Sequence, residues 1–125
     1  MTQAEEVVVI ADTMSLCKTD TDRWVIYRFR GDAKPLQKDL DAVLEAFVRA
    51  AETDEKPICV VPEALDQPNS RALGALLGLL TTKDGKDRRV ALAAPSTAWT
   101  DMLDIMGVRA SFIVVDDPEE LASAE

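Results

Sequence analysis

The chain has no histidine among its 125 residues and only two cysteines. Without histidine it lacks the commonest general base at neutral pH and the commonest ligand of transition metals, so triad and zinc chemistry lose their usual parts. Cys17 and Cys59 are too few for a disulfide framework, and Cys59 lies inside the apolar run ICVV, where a thiol behaves as a small buried hydrophobe. There is no basic excess either: 14 Lys and Arg face 23 Asp and Glu, for a formal net charge of −9. That sign repels a phosphate backbone, which clustered Lys and Arg would be needed to hold, so neither nucleic acid nor an anionic membrane is an expected partner. The longest apolar runs, Ala72 to Leu80 and Ser111 to Val115, fall short of the roughly 20 residues that cross a bilayer. The start, MTQAEEVVVIAD, carries glutamates where a secretory signal has a basic region, which predicts a cytoplasmic protein. No Gly-rich phosphate loop, internal repeat or low-complexity linker is present, and no cofactor is expected.

The composition is that of a globular chain, with 47 % hydrophobic and 30 % charged residues, and its length suits one domain over residues 1–125. Five segments read as strands: Glu6 to Ile10, Arg23 to Phe29, Ile58 to Val61, Val90 to Ala94 and Ser111 to Val115. The last three scarcely alternate, as expected of strands covered on both faces. Gly31 ends the second. Leu36, Leu40, Val43, Leu44, Phe47, Val48 and Ala51 recur at steps of three and four and predict a helix, with Pro35 near its first turn. A second helix follows the loop PEALDQPNS, with Leu73, Leu76, Leu77 and Leu80 toward the core. A third, capped by Ser96, carries Trp99, Met102, Leu103 and Met106 and stops at Gly107. Asp117, Pro118 and Glu120 form a capping-box start for a fourth. The order ββα followed by three βα units predicts an α/β fold: a mixed, mostly parallel central sheet with about four helices.

Local patterns suggest less chemistry than they offer. Asp20 and Asp22 in KTDTDRW alternate like calcium ligands, but the twelve-residue loop with its Gly and distal Glu is missing, and a solvated turn between strands accounts for them. Asp116, Asp117, Glu119 and Glu120 read as helix capping and dipole complementarity. Gly74 and Gly78, one helical turn apart, lower helix propensity, which close packing against the sheet or a partner would offset.

From Trp24 to Leu121 the chain resembles the STAS family, to which bacterial anti-sigma-factor antagonists belong. WVIYRFRG leads to a long helix; NSRALGALLGLL stands where the family has Asp-Ser-Ser/Thr-Gly-Leu-Gly before Leu-Leu; VALAAPSTAWTDMLDIMGV and FIVVDDPEELASA follow without gaps. The resemblance implies partner switching. The chain would bind a GHKL-type serine kinase anti-sigma factor through Asn69, Ser70, Arg71, Leu73 and Gly74, and phosphorylation of Ser70 would abolish binding. Asn69 stands where the family has aspartate, Arg71 where it has a small hydroxyl residue, and Ala72 where it has glycine. From the residues alone, Ser70 or Asn69 serves equally as a helix cap. Two other functions stay open: a STAS adaptor or scaffold of a stress-signalling or transport complex that is never phosphorylated, and a small-molecule or nucleotide sensor, or weak enzyme, using Pro62 to Ser70 as the lip of a pocket. Homodimerisation also stays open.

Overall fold

A computed structural model describes residues 5–32, 36–54, 56–65, 70–82 and 84–124, with side chains up to Leu121. Pro35, Pro68 and Asn69 lie outside these. The elements are β1 (Glu5–Ile10), β2 (Met14–Asp20), β3 (Val25–Gly31), α1 (Gln37–Glu52), β4 (Ile58–Val61), α2 (Ser70–Gly78), β5 (Val90–Ala93), α3 (Thr97–Ile105), a 3-10 turn at Arg109–Ser111, β6 (Ile113–Val115) and α4 (Glu119–Ala124). The strands lie in one sheet in chain order. β1, β2 and β3 are antiparallel neighbours, and β3 to β6 run parallel. This is the α/β class with the mixed, mostly parallel sheet and four helices that the pattern predicts.

Strand order equals chain order, so each parallel crossover steps to the next strand. Right-handed crossovers of that kind put their helices on one side. Val25, Tyr27 and Phe29 of β3 alternate inward and form one core with the buried stripes of α1, α2 and α3. Phe47 of α1 packs edge-on against both Tyr27 and Phe29, with centroids 5.1 Å apart in each pair. On the opposite face, Trp24, Cys59, Val61, Ala91 and Ala93 form a smaller cluster closed by Leu121 of α4. Nearer β1 that face carries Glu5 and Glu63 paired with Arg28 and Arg30, the closest contact being Arg30 to Glu5 at 2.6 Å.

Several expectations are corrected. Among the described residues there are six strands, not five: MSLCKTD has few β-branched residues and alternates with polar ones, so only pairing between β1 and β3 makes β2 a strand. The run read as Ser111 to Val115 opens with the last residue of the 3-10 turn and is a strand only over Ile113–Val115. As the sheet's edge, β6 is not covered on both faces, whereas β4 and β5 are buried throughout. Ala94 leaves β5 with φ 51°, a left-handed conformation that costs a residue with Cβ about 1–2 kcal/mol. Leu36 is the N-cap of α1 and 49 % exposed, and Met106, past α3, is 57 % exposed, while Leu79 joins the core instead. Gly31 is required by close approach: a Cβ there would lie 2.3 Å from the Thr13 carbonyl oxygen.

Two polar locks hold α1. At its start, buried Asp39 accepts the backbone N–H of Thr13 at 2.9 Å and its hydroxyl at 2.5 Å. The Thr13 hydroxyl oxygen in turn accepts from Leu36 N–H. At its end Arg88, 7 % exposed, donates to the carbonyls of Ala51 at 3.0 Å and Asp54 at 2.6 Å. The Ala51 carbonyl belongs to the last turn of α1, where intrahelical partners run out, and the Asp54 carbonyl to the segment that follows the helix. Tyr27 donates its hydroxyl to the Asp54 carboxylate at 2.5 Å, and burial, then that bond, push its pKa upward.

Arg88→Met, which keeps length but removes both donors, is expected to lower unfolding stability by about 3 kcal/mol, read from urea midpoints. The Thr13 hydroxyl holds the Asp39 carboxyl below its ordinary value of 3.8. A depressed carboxyl stabilises fully above that ordinary value and loses its contribution as pH falls through the lower folded one. Asp39→Asn should therefore reduce stability at neutral pH and flatten its decline at acid pH; an unchanged acid limb would refute this assignment.

Candidate functional site around the second helix

The site begins at the end of β4. Pro62 to Leu65 turns back on the core: Ala64 N–H donates to the Phe29 carbonyl at 2.7 Å and Leu65 N–H to that of Pro62 at 3.1 Å. The Trp99 indole N–H, fully buried, donates to the Leu65 carbonyl. The turn that leads toward α2 is thus anchored to β3 and to α3. Ser96 fixes the start of α3, its hydroxyl accepting Trp99 N–H at 3.4 Å.

Ser70 is the first residue of α2 and is exposed. Asn69, the other candidate cap, lies outside the described residues. Arg71 and Gly74 are also exposed, on the outer surface of the helix. Ala72 and Leu73 are each 2 % exposed and belong to the core. Of the positions the motif suggested, Ser70, Arg71 and Gly74 share a surface a partner can touch, and Leu73 acts through packing. Ala72 keeps its Cβ inside the core.

Arg71 reaches from α2 to α1, its Nη1 lying 2.6 Å from Oδ1 of Asp41. Gln37 Nε2 donates to the same oxygen at 2.9 Å. Nothing in the sequence pairs positions 41 and 71, because the contact exists only once both helices lie on the sheet. Between them runs a groove lined by Val48 and Glu52 of α1 and by Gly74, Ala75 and Gly78 of α2, with a volume near 340 Å³. Neither Gly74 nor Gly78 has an atom within 4 Å of where a Cβ would stand, so the sheet does not offset their helical cost.

The space beneath the loop, among Leu65, Ala72, Leu76 and Trp99, is about 10 Å³. A ligand pocket needs roughly 300 Å³ or more, so the described part of the loop is no lip for a metabolite. The acidic run at α4 is taken up by capping: Asp117 Oδ1 accepts Glu119 N–H at 2.8 Å, and Glu120 Oε2 accepts Asp117 N–H at 2.8 Å and Asp116 N–H at 2.7 Å. Both cysteines are free and buried. They stand on β2 and β4 with β3 between them, which puts them at least about 9–10 Å apart, beyond disulfide reach. Burial pushes the Cys59 thiol up to about 12, which denies it a reactive thiolate.

No protein-family model matches the chain, and no curated protein matches it.

Gly74→Ala adds a methyl into open space in the helix interior and is expected to raise stability by about 0.5–1 kcal/mol, checked by thermal melting. A lower Tm would mean that the glycine serves the fold itself.

Proposed function

We propose that this chain is a cytoplasmic anti-sigma-factor antagonist of the STAS type, acting by docking rather than catalysis. Its partner is a GHKL-type serine kinase anti-sigma factor, and phosphorylation of Ser70 switches the docking off. The observation that carries the reading is the position of Ser70: exposed, at the first turn of α2, after a loop anchored to the core, and next to the open groove at Gly74 and Gly78. Among the described residues no helix is long and apolar enough to cross a membrane.

In the switching step the Ser70 oxygen bonds the γ-phosphorus of ATP as the bond to the β-phosphate oxygen breaks. ADP leaves and the hydroxyl proton passes to solvent. The product carries about −1.5 to −2 charges and three acceptor oxygens at a surface that was neutral. A close interface there is disrupted by desolvation and repulsion, while the core beneath, including Leu73, needs no rearrangement. The exposed glycines fit the same role, since their absent side chains let a partner backbone approach α2.

A second reading, an adaptor that binds without being phosphorylated, is favoured by one contact. Arg71 occupies a position where the motif has a small hydroxyl residue, and it is engaged with Asp41.

Intact-mass analysis of the chain from its native host, beside a Ser70→Ala variant, separates the two. One phosphate present in the first and lost in the second is the expected result. An unphosphorylated chain in both growth and stress would transfer the assignment to the adaptor.

A further inference from the structure

We propose that Arg71 is a switchable tether: it ties α2 to Asp41 of α1 while Ser70 is unmodified and turns to the phosphate once Ser70 carries one, releasing the Asp41 carboxylate. The inference rests on the reading of Ser70 as a phosphate acceptor.

The two pairings exclude each other. Successive residues on a helix point about 100° apart, so Ser70 and Arg71 do not face one another, and the guanidinium reaches a phosphate at position 70 only by leaving Asp41. Its present contact is short, 2.6 Å, but the side chains are 66 % and 36 % exposed, and exposed pairs of that kind are weak and readily exchanged. A phosphate offers nearly twice the charge of a carboxylate and three oxygens matched to the guanidinium fork. In the adjacent hollow that Arg71 and Asp41 line, a second guanidinium, Arg49, is held by Glu45 on its own helix at 2.7 Å. When Arg71 moves, Asp41 keeps its bond from Gln37 and loses its ion pair to α2. Phosphorylation then alters the α1 side of the groove as well as Ser70 itself, extending the switched surface to Gln37 and Asp41.

The test needs no kinase. Phosphoserine is installed at position 70 by genetic encoding, and the phosphate is titrated by phosphorus NMR. Its second pKa is ordinarily about 6. With Arg71 beside it, that value is expected about 0.3–0.7 units lower than in an Arg71→Ala chain. Asp41→Asn, which removes the competing carboxylate, should lower it further, and Arg71→Lys should fall between. The same phosphate pKa in the parent chain and Arg71→Ala would overturn the tether. Absence of phosphate in the native host would instead remove the switching role, and this titration would still report whether Arg71 can exchange partners.

Discussion

The placement of α1 is the constraint on which the helical face depends. Phe47 sits edge-on against Tyr27 and Phe29, so the helix cannot slide along the sheet without losing both aromatic contacts. Its two ends are fixed by unlike means: a carboxylate gathering the donors of the β1–β2 turn at the start, and a buried guanidinium donating to backbone carbonyls at the end. Both follow the helix dipole, negative charge at the first turn and positive at the last. With α1 held in this way, α2 has one wall to lie beside, and the groove and the Arg71–Asp41 contact follow.

The two faces of the sheet are finished differently. The helical face is a continuous apolar core in which α2 contributes Ala72, Leu73 and Leu76. Each buried leucine stabilises by about 1.5–3 kcal/mol, enough to hold a nine-residue helix that would be marginal alone. The other face is covered by Leu121 at one side and a lattice of two glutamates and two arginines at the other. α2 thus turns its core side to the sheet and leaves Ser70, Arg71, Gly74 and Gly78 exposed on its outer side.

Some of the site was legible in the residues. The periodicity of leucines gave α2 its inward face, and the caps at Ser96 and Asp117 are local devices whose partners lie within a few residues, so the structure has them where the pattern put them. Periodicity also turned Leu73 inward, where the structure has it, whereas the motif grouped it with exposed neighbours as a contact residue. Gly74 and Gly78 were recognisable as costly, but whether the sheet or empty space lay above them is not a local property.

By itself, then, the sequence determined the class of fold, the helical faces and the capped starts, because these depend on spacings of two, three and four residues along one chain. It also determined that the surface is acidic and that histidine chemistry is absent. Tertiary structure alone decided that MSLCKTD is a strand, since a segment of weak propensity becomes one when both its edges are paired. It alone decided that Trp99 holds the loop before α2, that Arg88 completes the end of α1, and that Arg71 meets Asp41. Each of these joins residues some thirty positions apart, and such contacts arise only when the sheet brings the helices together.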